Sequence, residues 1–165
     1  MGRVGQVMAK RGRGFDMEVH YHNRSRLLPE LEQGAVYHPE LESLLEVSDF
    51  LSLHSPATPE TRNLINAEAI QRLPDGAILV NTARGALVDE DALLAAISSG
   101  KLAAAGLDCF DLEPGGNPAF ADHPNIMMLP HIGSATFETR DAMGFRALDN
   151  LDAYFAGKEP GDRLV

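Results

Sequence analysis

Ala77-Ile78-Leu79-Val80-Asn81-Thr82-Ala83-Arg84-Gly85 is the stretch on which the fold turns. Ile78–Val80 is a short apolar run that stops at Asn81-Thr82, the pattern of a parallel strand buried on both faces. Arg84 follows at once, so the strand carries a charged residue to the carboxyl edge of its sheet, where open α/β sheets bind ligands. Gly85 is expected to let the chain turn sharply after the arginine. Asp89 stands where it can cap a helix that runs to Gly100. An arginine so placed either pairs with a surface carboxylate or grips a ligand, and position alone does not choose between them.

The same alternation extends in both directions. Upstream, Phe50–Leu53 reads as a buried strand that ends in His54-Ser55-Pro56-Ala57-Thr58-Pro59-Glu60-Thr61, a loop whose prolines exclude helix. Leu64–Leu73 reads as a helix with Ile65, Ala69, Ile70 and Leu73 inward, stopped by Pro74-Asp75-Gly76. Downstream, Leu102–Leu107 is a strand ending in Asp108-Cys109-Phe110-Asp111-Leu112-Glu113-Pro114, and Ile126–Leu129 is a strand ending in Pro130-His131-Ile132-Gly133-Ser134. Ser134 or Thr136 can cap a long helix over Phe137–Phe155, with Met143, Ala147, Leu148, Leu151 and Phe155 as its apolar stripe; Gly157 ends it and the tail through Val165 reads as extended.

The amino-terminal third follows the same pattern. Gly2-Arg3-Val4-Gly5 reads as the back half of a G-x-G-x-x-G dinucleotide fingerprint, opening a helix that ends near Gly12–Gly14. Phe15–Tyr21 alternates as a strand, Leu27–Gln33 is helical, Ala35–Tyr37 is a brief strand and Glu40–Val47 has the spacing of an amphipathic helix. Strands alternating with helices at short spacing define an α/β chain with a doubly wound parallel sheet and helices on both faces. Right-handed crossovers then bring Arg84, Asp108, Glu113 and His131, all just past strand ends, to one rim.

Composition narrows the function classes. The chain has 165 residues, enough for one ordinary domain, and a formal net charge of −10 from 14 Lys+Arg against 24 Asp+Glu. An acidic chain without a basic cluster is a poor partner for nucleic acid or for an anionic membrane, and no apolar run approaches a membrane span. Cys109 is the one cysteine, so no intramolecular disulfide forms; with no signal peptide at the start, a cytoplasmic location is expected. Cys109 lies in an apolar stretch and reads as core. No metal site is assigned.

Arg84, Glu113 and His131 together supply a recognisable chemistry. A guanidinium grips a carboxylate through two parallel hydrogen bonds. A histidine passes one proton near neutral pH, and a glutamate on its other ring nitrogen would favour the imidazolium and fix the ring. Hydride transfer to a 2-oxo acid needs this set: a carboxylate anchor, a polarised carbonyl and a proton for the new alkoxide. About 20 residues past the glycines, where NAD sites place an acidic residue on the adenosine ribose, this chain has Asn23-Arg24-Ser25. Donors in place of a carboxylate suit a 2′-phosphate, so NADP is the expected cofactor, with NAD as the alternative.

These stretches resemble the D-isomer-specific 2-hydroxyacid dehydrogenases, in particular the glyoxylate/hydroxypyruvate reductase branch. The resemblance rests on G-R-V-G at Gly2–Gly5, L-H-S-P-A-T-P-E-T at Leu53–Thr61, N-T-A-R-G at Asn81–Gly85, G-L-D-C-F at Gly106–Phe110 with Glu113-Pro114, and P-H-I-G-S-A-T at Pro130–Thr136. It implies a Rossmann-like fold and an NAD(P)-dependent oxidoreductase. Arg84 would bind the substrate carboxylate and polarise the carbonyl, His131 would be the acid in reduction and the base in oxidation, and Glu113 would be its partner. Gly2, Arg3 and Val4 would meet the pyrophosphate; Asn23, Arg24 and Ser25 the ribose; His54, Ser55, Pro56 and Thr61 the adenosine and phosphate side; Thr82, Ala83, Asp108 and Gly133 the nicotinamide half.

Intact members of the family have a substrate domain built from an N-terminal segment and the extreme C-terminus. By that comparison residues 1–136 are expected to be a dinucleotide-binding domain without its first strand and first glycine, and 137–165 a helix and tail returning towards a substrate domain. The chain is then a fragment, expected to be inactive alone and homodimeric when full length. Two other readings share these residues: a dinucleotide-sensing, corepressor-like interaction protein, and a non-catalytic fragment.

Overall fold

The structure, a computed structural model, describes residues 1–163. Leu164 and Val165, the end of the tail expected to be extended, lie outside the described residues. The chain divides into two compact units, Met1–Pro130 and His131–Val165.

In the first unit, strands β1 (His20–His22), β2 (Val36–His38), β3 (Phe50–Leu53), β4 (Ala77–Asn81), β5 (Leu102–Leu107) and β6 (Ile126–Met128) alternate with helices α1 (Arg3–Arg13), α2 (Pro29–Glu32), α3 (Leu41–Leu45), α4 (Ala67–Arg72), α5 (Glu90–Ser99) and α6 (Pro118–Ala121). Every strand pair is parallel. The strands form two sections, β1 beside β2 and a four-stranded run in the order β3-β4-β5-β6. The fold is therefore the expected α/β type with a Rossmann-like parallel sheet.

β4 lies at the centre of the larger section because its sequence tolerates burial on both sides. Ala77, Leu79 and Asn81 are buried, and Leu79 pairs with Leu51 on one side and Ala105 on the other. Leu79, Leu87, Leu93, Leu102 and Phe120 are fully buried in one core. Full burial of a side chain of this size stabilises the fold by about 2 kcal/mol. α5 starts at its cap: Asp89 Oδ1 accepts the Ala92 N–H at 3.0 Å, with Glu90 and Asp91 favourably placed in the first turn. Gly100 ends it with φ +81°, a conformation that costs glycine little.

Two local expectations need correction, and a third, the turn at Gly85, holds for a different reason. The strand expected over Phe15–Tyr21 begins only at His20, because the chain leaves α1 through a tight turn in which Asp16 has φ +57° and Phe15 is exposed. The helix expected over Leu64–Leu73 begins at Ala67, where Asn66 Oδ1 accepts the Ala69 N–H at 3.0 Å. Ile65 instead exchanges backbone bonds with Leu87 and Asp89, 2.9 and 3.0 Å, in a bridge to Val88. Gly85 has no left-handed backbone and opens a 3-10 turn; what it supplies is the absence of a side chain, since a Cβ there would meet the Phe110 carbonyl carbon at 1.8 Å.

The second unit is dominated by α7 (Phe137–Phe155), capped by Thr136, whose Oγ1 accepts the Thr139 N–H at 3.2 Å. Asp162 fastens the following segment to the helix, accepting from Arg146 at 2.9 Å and from Asn150 at 2.7 Å. No residue of α7 is buried; its expected apolar stripe is exposed, from Met143 to Phe155. Among the described residues, no helix is long and apolar enough to cross a membrane.

Candidate active site

Asn81 builds the site from beneath. It ends β4 fully buried, and its side chain bridges the turn that follows: Nδ2 donates to the Arg84 carbonyl at 2.8 Å and Oδ1 accepts the Ala83 N–H at 3.1 Å. Its own carbonyl accepts the Asp108 N–H at 2.9 Å from the end of β5. This clamp fixes the backbone on both sides of Arg84 and leaves that side chain exposed. The bare Cα of Gly85 then lets the turn pack against the Phe110–Asp111 backbone. The arginine turn and the loop after β5 are thereby locked together.

That second loop carries Glu113, whose Oε1 accepts the Phe110 N–H at 2.8 Å. It is tied from outside as well: Arg62 reaches Asp111 at 3.1 Å, and Glu90 Oε1 accepts the Asp111 N–H at 2.9 Å. Asp108 is buried between the two turns. Cys109 is buried too; burial first, then the Glu113 and Asp108 charges, push its thiol up to about 11, so it stays protonated. The expectation that Cys109 is core is borne out.

Above the arginine turn lies a cleft of about 470 Å³ lined by Val4, His54, Ser55, Pro56, Ala57, Thr82, Ala83 and Arg84. This volume falls in the range of small-molecule sites. The cleft brings together residues from α1, from the loop after β3 and from the turn after β4, which lie far apart in sequence. His54 lies within it, and burial, and then the nearby Met1 ammonium, hold its pKa below the ordinary value. Its Nε2 is 3.0 Å from Ser52 Oγ.

The other expected residues fall as follows. Gly2 is the N-cap of α1 and makes no side-chain cap, so the first-turn N–H groups face outward with no acidic residue beside them. Arg3 lines a separate hollow of about 310 Å³ with Gln6, Lys10 and Arg13, so it and Val4 look out on different sides of the helix. Asn23, Arg24 and Ser25 form the turn after β1, where Asn23 Nδ2 donates to the Ser25 carbonyl at 3.1 Å and Arg24 is exposed. Thr61 works within its loop: Oγ1 donates to the Pro56 carbonyl at 2.8 Å and accepts the Thr58 N–H at 2.8 Å. His131 and Gly133 belong to the second unit, and His131 has φ +54°, a left-handed conformation unusual for a residue with a side chain.

Two features were not readable beforehand. One is the clamp made by Asn81, which in sequence is simply a polar residue ending a strand. The other is Glu32, a buried carboxylate whose partners Tyr21 and Arg26 flank the turn after β1. It accepts from Arg26 at 2.8 and 3.1 Å and from the Tyr21 hydroxyl at 2.6 Å, and those partners hold its pKa down at about 2. Arg26 is thus engaged internally, while Arg24 faces outward.

The parallel α/β fold, the glycine-led helix and the cleft at the strand ends define a domain of the dinucleotide-binding class. Residues 1–133 match the family described as D-isomer specific 2-hydroxyacid dehydrogenase, NAD binding domain, and the chain belongs to that family. It is 47% identical over 160 residues to a glycerate dehydrogenase of Hyphomicrobium methylovorum, covering 96% of this chain and 50% of the relative. It is 45% identical over 161 residues to a glyoxylate reductase of Thermococcus litoralis, covering 96% and 48%. Among solved structures, an NADPH-dependent glyoxylate/hydroxypyruvate reductase from Sinorhizobium meliloti, in complex with NADP and malonate, superposes with a TM-score of 0.89 at 38% identity, covering 93% of this chain and 47% of that one. The chain spans about half the length of the curated relatives it matches.

Proposed function

We propose that this chain is the dinucleotide-binding part of an enzyme that moves a hydride between NADP(H) and a small 2-oxo or 2-hydroxy acid, of the glyoxylate or hydroxypyruvate kind. The observation that carries the reading is the cleft itself. Arg84, the one side chain there able to grip a carboxylate with two hydrogen bonds, shares it with Val4, His54–Pro56 and Thr82–Ala83, the residues expected to line the dinucleotide.

The residues present fit such a cofactor. The uncapped first turn of α1 offers N–H groups to a pyrophosphate, and a Cβ on Gly2 would meet nothing within 4 Å, which leaves the approach open. When bound, the dinucleotide supplies the hydride. Arg84 anchors the substrate carboxylate and polarises its carbonyl. His131 is assigned the proton for the new alkoxide, and Glu113, in the first unit, is assigned a catalytic role. Asp108, Thr82, Ala83 and Gly133 shape the nicotinamide side, and Thr61 holds the His54–Pro56 loop in place. The names of the relatives support the substrate class. The proposal extends to a homodimeric, cytoplasmic enzyme.

The test follows glyoxylate and hydroxypyruvate reduction by NADPH absorbance in a full-length protein that restores the substrate domain to this chain, and in its Arg84→Lys variant. Losing the bidentate anchor is expected to cut kcat/KM roughly 100-fold, about 2.7 kcal/mol, while cofactor affinity stays near that of the wild type. A variant with near-native efficiency would remove Arg84 from the role.

A further inference from the structure

The turn that joins β1 to α2 is fastened at both ends by tyrosine hydroxyls. Tyr37 of β2 donates to the Asn23 carbonyl at 3.2 Å, and Tyr21 of β1 accepts the Leu27 N–H at 3.0 Å. The two tyrosines are register partners across the β1–β2 ladder, so they share one face of it, with ring centroids 5.2 Å apart. Tyr21 is buried and Tyr37 half-buried. Glu32 stands behind them. It accepts from the Tyr21 hydroxyl at 2.6 Å and from Arg26 at 2.8 and 3.1 Å. The Arg26 guanidinium also lies over the Tyr37 ring, 5.7 Å from its centroid. Glu32 is anchored in turn, since its carbonyl accepts from Arg13 of α1 at 2.7 Å.

This support sets the turn apart from an ordinary solvated one. Surface turns commonly leave their polar groups to water and stay mobile. Fixing a residue's backbone costs roughly 1–2 kcal/mol of entropy, and a ligand that orders a turn on binding loses that much affinity. Here the fold bears the cost in advance. Asn23 Nδ2 closes the turn from within by donating to the Ser25 carbonyl at 3.1 Å. Arg26 is engaged inward on Glu32. Arg24 and Ser25 remain exposed, with Glu60 of the segment after β3 within the field of Arg24. Of the two arginines, Arg24 is therefore the one presented outward.

We propose that Tyr37 is a positioning residue for the cofactor: its hydroxyl, with Tyr21 and Glu32 behind it, keeps Asn23, Arg24 and Ser25 preformed as one set of donors for an adenosine 2′-phosphate. Tyr37 acts through the turn. Arg26 belongs to the support, and Arg24 is the arginine that meets the phosphate. The proposal rests on the cofactor reading given above and adds to it the residues that hold the site in shape.

The test titrates the full-length protein described above with NADPH and with NADH by calorimetry, as wild type, Tyr37→Phe, Arg24→Ala and the double variant. Tyr37→Phe keeps the ring and removes one hydrogen bond. NADPH affinity is expected to fall about fivefold, and NADH affinity to change by less than about twofold. Arg24→Ala should lower NADPH affinity at least about tenfold. On that background Tyr37→Phe should remove less than about twofold more, because the two residues act through one turn. A merely structural hydroxyl would weaken both cofactors alike and add in full to Arg24→Ala. Hydrogen exchange of the unaltered protein gives a second measure, decisive even if Tyr37→Phe does not fold. The Leu27 amide, held by Tyr21, should be protected before any cofactor is added. Wild-type NADPH affinity in Tyr37→Phe, an equal loss for both cofactors, additive substitutions, or fast Leu27 exchange in the free protein would each overturn the proposal and leave the cofactor reading standing. A wild type without preference for NADPH, or a preference that survives Arg24→Ala, would overturn that reading and the proposal with it.

Discussion

Asn81 ties the stability of the domain to the placement of Arg84. Its amide satisfies the Arg84 carbonyl and the Ala83 N–H from a fully buried position. Asn81→Leu keeps the volume close but leaves both backbone groups without that partner. A cost of about 2 kcal/mol is expected, read as a lower urea midpoint with an unchanged slope. A variant as stable as the wild type would mean that water replaces the clamp without loss. Gly85→Ala tests the neighbouring constraint. A Cβ placed 1.8 Å from the Phe110 carbonyl carbon forces two backbones apart, and a loss of about 3 kcal/mol or more is expected in the same assay.

Glu32 gives the residue scale a pH signature. Its folded pKa of about 2 lies below the ordinary 4.5, because hydrogen bonds from Arg26 and Tyr21 favour the carboxylate. A depressed carboxylate adds stability that is present in full above about 4.5 and is lost as pH falls towards about 2. Denaturation followed from pH 6 to pH 2 should therefore show a smaller acid-induced loss in Glu32→Gln than in the wild type. An equal loss in both would assign the acid sensitivity to other groups.

At the scale of elements, caps decide how well the chain could be read in advance. β3 and β5 fall where their apolar runs start and stop, and α5 and α7 begin at Asp89 and Thr136, whose side chains make the anticipated bonds. Elements whose limits depend on tertiary pairing were not legible. Ile65 has the spacing of a helical core position yet pairs with Val88, since its strand-like partner comes from beyond β4. β1 is short because the turn through Asp16 uses up the residues that alternate. In the site, the strand-end rule located Arg84 and the His54–Pro56 loop. It said nothing of Glu32 or of the Asn81 clamp, whose partners become visible only in the folded chain. Asp89→Ala should cost about 1 kcal/mol of unfolding free energy if the α5 cap acts as described. A change below the error of a urea titration would show that the helix is fixed by packing alone.

At the scale of the whole molecule, a chain of net charge −10 is proposed to hold a polyanionic dinucleotide. General electrostatics oppose that, so the attraction has to be local: the first turn of α1, which lacks acidic residues, and the exposed Arg24 beside Asn23 and Ser25. Glu32, a buried carboxylate in this region, is already paired with Arg26, while Glu60 lies within the field of Arg24. What suits a cofactor bearing an extra phosphate over one offering a free hydroxyl is therefore the absence of a carboxylate at Asn23 itself.

The most direct measurement is calorimetric titration of the chain with NADPH and with NADH, repeated on Asn23→Asp combined with Arg24→Ala. NADPH is predicted to bind the wild type about tenfold more tightly or better, a difference of roughly 1.4 kcal/mol, and the double variant should shift preference towards NADH. A wild type that binds NADH as well as NADPH, or that binds neither, would contradict the account, as would a double variant whose preference does not move.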